Sequence, residues 1–137
     1  MSNSEKTPRP VTVDESGLKL LDELEGFRPT IYKDEAGHET IGIGHRITAT
    51  ESATGSIITI TRSIPITRPI SRNDAVEIAL NDLRPVSTAI RDYVKAPLNQ
   101  NEFNALAIFV FNVGIGAFKS STLLKKLNAG LKDEVPA

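Results

Sequence analysis

LEGFRPTIYKDEAGHETIGIGH, residues 24–45, decides the fold, because it joins the end of a helix to a small antiparallel sheet. Apolar residues at a spacing of three predict a helix from about residue 13 to Glu25, and Gly26 is its natural stop. Within the stretch, residues 30–33 and 40–45 are rich in strand-forming residues and are separated by a turn. We therefore expect a hairpin directly after the helix.

The return strand of this hairpin alternates in character. Ile41 and Ile43 share one face, which we expect to lie on the core. Thr40, Gly42 and Gly44 share the other face, and glycines leave room for a ligand or another backbone to approach. We expect that second face to be open toward a cleft.

The predicted helix carries an acidic residue in its last turn. Its apolar face consists of Leu18, Leu21 and Leu24, and either Asp14 or Ser16 could be its N-cap. Glu25 lies at the edge of that face. The negative end of the helix dipole and partial burial both favour the protonated form of a carboxyl group, so Glu25 is a candidate general acid.

Three polar side chains of this segment could act together. Besides Glu25, Asp34 lies in the hairpin turn and Thr40 begins the return strand. An acid beside a second, ionised carboxylate is what hydrolysis of a glycosidic bond requires, and a threonine hydroxyl can hold the water. A helix-terminal charge, a turn-forming aspartate and a strand former explain the same residues equally well, so the pattern leaves both readings open.

The remainder of the chain predicts a second hairpin followed by helices. Residues 48–70 are rich in Thr, Ile and Ser, and we expect their alternating isoleucines to form two strands. A connecting helix is expected over residues 71–96, kinked or broken near Pro85. Residues 97–137 predict an all-helical lobe around a central helix that is apolar on all sides.

Composition excludes several classes of function. The chain has 137 residues, 39% of them hydrophobic and 24% charged, with a net charge of −1, which argues against a nucleic-acid partner. It contains no cysteine and only two histidines, so we expect no metal site and no cofactor. No apolar run reaches the roughly 18–20 residues of a membrane span. We expect the polar residues 1–13 to form a disordered leader.

Three segments resemble one known family. Residues 24–45 resemble the active-site segment of the phage-type lysozymes, glycoside hydrolase family 24, with Glu25, Asp34 and Thr40 at the family's catalytic spacing. ISRNDAVEIALNDL, residues 70–83, and LNQNEFNALAIFVFNVGIGAFKSSTLLKKLNAG, residues 98–130, are similar to later parts of that family. The resemblance implies an α+β, lysozyme-like fold over residues 14–137. A small β lobe (14–70) and a helical lobe (97–137) would be joined by the connecting helix (71–96), with the active-site cleft between them.

The resemblance also implies an activity. Members of this family are muramidases, which cleave the β-1,4 bond between N-acetylmuramic acid and N-acetylglucosamine in bacterial peptidoglycan. Glu25 would be the general acid, Asp34 the second carboxylate, and Thr40 would help to place the water. By position, Arg46, Phe111 and Ser121 would bind substrate, although core packing explains Phe111 equally well. His45 is expected to be a structural, interior histidine bonded to polar neighbours.

Two departures from the family bear on partners. Segment 48–70 is atypical and is expected to form an enlarged lip at the cleft. Relatives continue beyond the LNAG motif with a further helix, whereas this sequence stops seven residues after it. From this we expect part of the apolar surface of the helical lobe to be left exposed. Self-association through the isoleucine-rich hairpin is one way to bury it.

Several functional alternatives remain at the level of sequence. A phage endolysin would accumulate in the host cytoplasm, depend on a holin for release, and act on the cell wall in the periplasm. An active lysozyme could also be a tail-associated lysin of the phage. A lytic transglycosylase would need the acid but no second carboxylate. A non-catalytic wall-binding module of the same fold would need neither.

Overall fold

A computed structural model describes residues 9–130 of the chain. The helices and strands, in chain order, are α1 (Glu15–Glu25), β1 (Arg28–Lys33), β2 (Glu39–Gly42), β3 (His45–Arg46), α2 (Ala49–Thr54), β4 (Ser56–Ile58), β5 (Ser63–Pro65), α3 (Arg72–Tyr93), α4 (Gln100–Val113), α5 (Ile115–Lys119) and α6 (Thr122–Asn128). The chain divides into two compact units. We call Leu18–Asp82 the β unit, and the remainder, described over residues 9–17 and 83–130, the helical unit. This mixture of helices and small antiparallel sheets confirms the predicted α+β class.

Helix α1 begins and ends where its sequence signals predict. Asp14 caps it by accepting a hydrogen bond from the N–H of Gly17 at 3.1 Å, and Gly26 ends it in the left-handed conformation, with φ of 74°. Its buried face is narrower than expected. Leu21 is fully buried, but Leu24 is 62% exposed, so the inclusion of Leu24 in the apolar face was wrong.

The first sheet has three antiparallel strands in the order β1-β2-β3. Ile41 and Ile43 are buried, as expected. The expectation of an open opposite face was wrong. Thr40 is also buried, and a Cβ on Gly42 would stand 3.4 Å from Ala75 of α3, so this glycine lets α3 pack directly on the strand. The positive φ of Gly42 ends the alternation on which that expectation depended.

The second sheet is the predicted two-stranded hairpin, β4 paired with β5. Ile57 and Ile64 face each other across the register and are buried, whereas Ile58 and Ile60 are 75% and 69% exposed. Short helix α2, which we did not predict, precedes the hairpin and ends at Gly55.

Buried His45 ties three elements of the β unit together. Its Nδ1 lies 2.8 Å from Asp82 of α3, and its Nε2 lies 2.8 Å from Oε1 of Glu51 in α2. The same Oε1 accepts the N–H of Thr48 and so completes the capping box of α2. Burial favours the neutral ring, but the hydrogen bonds and charges of Asp82 and Glu51 outweigh it and raise the pKa of His45 to about 9. This confirms the structural role predicted for His45.

Helix α3 starts in the β unit and continues into the helical unit. Ser71 and Asp74 form reciprocal hydrogen bonds at its start, as its sequence predicts. The expected break near Pro85 was wrong, because α3 runs without interruption to Tyr93. Pro85 removes one backbone N–H from the helix, and the division between the two units falls between Asp82 and Leu83, close to this point.

The helical unit is built from the second half of α3 and from α4, α5 and α6. Asn99 and Glu102 form the expected capping box of α4. Buried Asn104 of α4 donates to Asp14 at 2.7 Å, which holds the start of α1 on this unit. The remaining buried side chains are apolar and include Val86, Ile90, Phe103, Leu106, Val110, Phe118, Leu124 and Leu127. The apolar surface of α4 is not enclosed on all sides, as we expected for a central helix, because Phe109 and Val113 are exposed.

Part of the predicted leader lies outside the described residues. Residues 1–8 are not described, and the boundaries of the leader and lobes stay predictions. At the other end of the leader, Val13 is buried, and the carbonyl groups of Val11 and Thr12 accept hydrogen bonds from Arg91 and Gln100. Between residues 9 and 130, no helix combines the length and apolar character needed to cross a bilayer.

The raised pKa of His45 predicts how stability depends on pH. The folded chain holds this proton up to about pH 9, whereas the unfolded chain releases it near 6.5. The stabilisation is therefore complete below about pH 6.5 and is lost as the pH rises through 9. We expect the free energy of unfolding to fall by up to about 3 kcal/mol between about pH 6 and pH 10, and by less in Asp82→Asn. Urea unfolding at several pH values measures this.

A matched control is Asp92→Asn, because Asp92 is an exposed carboxylate on the same helix. It should leave the pH dependence of the wild type in place. An equally steep loss of stability in Asp82→Asn would contradict this account of His45.

Candidate active site

The end of α1 places Glu25 against a turn of the first sheet. Its side chain is half-buried and lies over Gly44, where a Cβ would stand 2.8 Å from Oε1 and 2.9 Å from Cγ. Gly44 also has a positive φ of 73°, between β2 and β3. Both observations show why this position suits glycine: any larger residue would strain the turn and displace the Glu25 carboxyl group. Among the described residues, none donates a hydrogen bond to that carboxyl group.

Asp34 has a very different environment in the β1–β2 turn. Its Oδ1 accepts the backbone N–H groups of Ala36 at 2.9 Å and His38 at 2.8 Å. Its Oδ2 lies 3.5 Å from Nδ1 of His38 and 3.8 Å from Nε of Arg46. The hydrogen bond from the His38 N–H is the main cause that holds the pKa of Asp34 below its usual range, and the positive charges of His38 and Arg46 act in the same direction.

Thr40 is connected to Asp34 through one intervening residue. Its hydroxyl is buried in β2 and donates to the carbonyl oxygen of His38 at 2.9 Å. Since His38 donates its own N–H to Asp34, the backbone of His38 fixes both side chains. A hydroxyl that donates to a carbonyl keeps its lone pairs free to accept a hydrogen bond from water.

The hydroxyl of Tyr32 is affected by the negative charges of both Glu25 and Asp34. Tyr32 pairs with Thr40 across the sheet, and the guanidinium of Arg28 lies 4.7 Å from the centre of its ring. Burial is the main cause that raises the pKa of Tyr32, and the negative charges of Glu25 and Asp34 add to it. Tyr32 thus connects Glu25, Asp34 and Thr40 within the β unit, and Arg46 lies beside Asp34; the catalytic roles of these residues stay predictions.

The two other predicted substrate contacts belong to the helical unit. Phe111 is a half-buried residue in the last turns of α4. Ser121 is the N-cap of α6, where its hydroxyl accepts the N–H of Leu124 at 3.1 Å and donates to the carbonyl oxygen of Phe118 at 2.7 Å. A capping role thus explains Ser121 within its own unit, and the substrate-binding roles of both residues stay predictions.

Two residues of the site were missed from the sequence. Gly44 was interpreted only as room for a ligand or another backbone, and His38 was noted only as one of two histidines, too few for a metal site. The signal for His38 was its position four residues after Asp34 and two before Thr40, inside a turn whose backbone must bond to both. Within residues 9–130, no group of three or more His, Cys, Asp or Glu side chains is arranged to hold a metal ion.

The contact between Gly44 and Glu25 predicts the effect of one added methyl group. Gly44→Ala should lower activity by about tenfold or more, because the methyl displaces the Glu25 carboxyl group. It should also destabilise the chain by about 1 kcal/mol through the positive φ. Turnover of purified cell walls and urea unfolding measure the two effects.

Gly55→Ala is the control that separates the effect of backbone strain from the effect of displacing the Glu25 carboxyl group. Gly55 has the same φ of 73°, and its added methyl would contact only the Thr67 side chain, at 3.0 Å. This control should lose comparable stability and keep its activity. Equal activity losses in the two variants would show that backbone strain alone accounts for the effect of Gly44→Ala.

Comparison with known proteins agrees with this geometry. The sequence model of the Phage lysozyme family matches residues 22–137. The endolysin of Acyrthosiphon pisum secondary endosymbiont phage 1 is 35% identical over 118 residues, which cover 86% of this chain and 70% of that protein. The endolysin of Salmonella phage P22 is 36% identical over 118 residues, 85% of this chain and 73% of the relative.

Solved structures give the same result. A crystal structure of a P22 lysozyme mutant superposes with a TM-score of 0.69 at 33% identity, covering 89% of this chain and 77% of the other. The endolysin from Escherichia coli O157:H7 phage FAHEc1 gives a TM-score of 0.71 at 29% identity, covering 92% and 73%. Together with the family match over most of the chain, these similarities show that the chain belongs to the Phage lysozyme family.

Proposed function

We propose that this chain hydrolyses the β-1,4 bond between N-acetylmuramic acid and N-acetylglucosamine in bacterial peptidoglycan, with Glu25, Asp34 and Thr40 as its catalytic residues. As a member of the Phage lysozyme family it is a peptidoglycan hydrolase of the lysozyme type. The observation that carries the residue assignment is the difference between the two carboxyl groups: hydrogen bonds and positive charges stabilise ionised Asp34, and none of these contacts Glu25.

In this proposal Glu25 is the general acid. Cleavage of a glycosidic bond needs a proton on the leaving oxygen, and the carboxyl group that gives it must be protonated at the start. Glu25 lies at the negative end of the α1 dipole, half-buried, on a glycine that offers its carboxyl group no donor. Asp34, by contrast, accepts two backbone N–H groups, so the surroundings of the two carboxyl groups differ.

Asp34 and Thr40 act on the sugar centre in the proposal. The Oδ1 atom of Asp34 is engaged by two backbone N–H groups, so Oδ2 remains for the reaction. That oxygen can accept a proton from water or stabilise positive charge that develops on the sugar. The Thr40 hydroxyl, oriented by the His38 carbonyl, is placed to accept a hydrogen bond from the same water.

Mass analysis of the fragments released from purified peptidoglycan tests the proposed bond and chemistry. A hydrolysing muramidase leaves reducing ends at N-acetylmuramic acid. A lytic transglycosylase would leave anhydro ends, and a module that only binds the wall would release nothing. Either of these last two results would overturn the proposal.

The proposal extends to how the chain works in the cell. We place it with the endolysins named among its relatives, accumulating in the host cytoplasm, released with the help of a holin, and acting on the wall in the periplasm. Arg46, Phe111 and Ser121 are its proposed substrate contacts. In this proposal self-association uses the exposed isoleucines of the β4–β5 hairpin, Ile58 and Ile60.

Glu25→Gln should abolish turnover while the fold is retained. The amide keeps the shape of the side chain and removes the proton that it donates, and positioned acid catalysis contributes roughly 10²- to 10⁴-fold. The rate of cell-wall clearing measures the loss. Glu23→Gln, an exposed carboxylate on the same helix, is the control and should stay active. A folded Glu25→Gln chain with more than about a tenth of wild-type activity would show that Glu25 is not the acid.

Asp34→Asn should also lose activity by at least about 10²-fold. The asparagine oxygen can still accept the N–H groups of Ala36 and His38, so the turn should form, but a neutral amide can neither activate water nor stabilise a sugar cation. Glu35→Gln is the neighbouring control, because Glu35 is exposed in the same turn. Circular dichroism should show both variants folded, and an active Asp34→Asn chain would refute the role given to Asp34.

A further inference from the structure

His38 makes more contacts with the proposed catalytic residues than its backbone alone requires. Its N–H binds Oδ1 of Asp34, and its carbonyl accepts from Thr40. These two contacts are main-chain contacts, which any residue could supply. The imidazole adds a third, 3.5 Å from Nδ1 to Oδ2 of Asp34, and the proposed mechanism does not use it.

The ring faces the reactive oxygen of Asp34. Oδ1 already has two N–H donors, so Oδ2 is the oxygen that is left to accept a proton or a further hydrogen bond. His38 approaches Oδ2 from within the turn, and Arg46 approaches it from β3 at 3.8 Å. Oδ2 is therefore held between the imidazole of His38 and the guanidinium of Arg46, which come from two different elements.

Among the described residues, few titratable groups act on the charge of Asp34 besides His38. The charged groups that act on Asp34 are His38 from its own turn and Arg46 from β3, and the charge of Asp34 itself helps to raise the pKa of Tyr32 in β1. The raised pKa of Tyr32 keeps its hydroxyl neutral at acid and neutral pH. An exposed imidazole becomes an imidazolium at acid pH, where Asp34 is closest to losing its charge.

We propose that the His38 ring is a positioning residue that acts through Asp34: as a cation it holds Oδ2 ionised and oriented for the reaction, and so extends activity toward acid pH. The inference rests on the proposed function, because it gives Oδ2 of Asp34 the catalytic role. Arg46 supplies a charge that does not depend on pH, and His38 adds its own charge at acid pH.

Two substitutions at the same position test the charge of the ring. His38→Gln keeps the backbone contacts and removes the cation, and His38→Lys restores a cation at every working pH. The measurements are the pH profile of kcat/KM on purified cell walls and a ¹³C NMR titration of the Asp34 carboxyl group. The NMR titration does not depend on catalysis.

For His38→Gln we expect the acid limb of the profile and the Asp34 titration to move to higher pH together, by about 0.2–0.7 pH unit, the range of an exposed ion pair. The loss of activity should be greater at pH 5 than at pH 7. His38→Lys should restore both midpoints, and about 1 M salt should shrink the differences, because these side chains are exposed.

Coincident profiles and coincident Asp34 titrations in His38→Gln and His38→Lys would overturn the inference. Failure of the proposed function has a different signature. Asp34→Asn would then keep wild-type turnover, whereas the NMR titration would still report whether the His38 charge acts on Asp34.

Discussion

A buried, charged imidazole organises the β unit. His45 has a carboxylate at each ring nitrogen, Asp82 and Glu51, and removal of such a group from water is favourable only when both nitrogens are satisfied. The three elements that carry these residues, β3, α2 and α3, are therefore constrained to meet at one point. Gly44 and Arg46 are the chain neighbours of His45, so the same constraint sets the backbone under Glu25 and beside Asp34.

One carboxylate, that of Asp34, organises the β1–β2 turn. Oδ1 of Asp34 accepts two backbone N–H groups, the local pattern by which aspartate stabilises turns. Those hydrogen bonds favour the ionised carboxylate, and they leave Oδ2 as the oxygen that can accept a further hydrogen bond. The residue that closes the turn also positions Thr40, so the geometry of the site follows from the hydrogen bonds of a five-residue segment.

Local signals in the sequence predicted much of this structure. The caps at Asp14, Ser71 and Asn99, the stop at Gly26 and the convergence of Glu25, Asp34 and Thr40 depend on neighbours within a few residues, where sequence patterns are informative. Helix α2 was missed although Thr48, Glu51 and Gly55 carry its capping signals, because the β-branched composition around it favoured strands.

The remaining errors concern tertiary packing, which local patterns do not contain. Period-two alternation predicted the second hairpin but not which of its isoleucines face inward, and that depends on how the loop after β4 is held to α3. Thr59 donates to Glu77 at 2.7 Å, and Asn81 accepts the N–H of Ile60 at 3.2 Å, so the adjacent Ile57 turns inward. Likewise, helix α3 continues through Pro85 because the loss of one hydrogen bond does not outweigh the burial of Val86 and Ile90 beyond it.

An acid and a base of the same chemical type can work together only if their surroundings differ. In this chain the difference is created by backbone geometry at two turns. The Asp34 turn points N–H groups at its carboxylate, while the turn at Gly44 presents the bare backbone of a glycine to Glu25. Donors stabilise negative charge, and among the described residues Asp34 has such donors whereas Glu25 has none. The difference between the two carboxyl groups therefore depends on which of them each turn supplies with hydrogen-bond donors, and the proposed division of roles uses that difference.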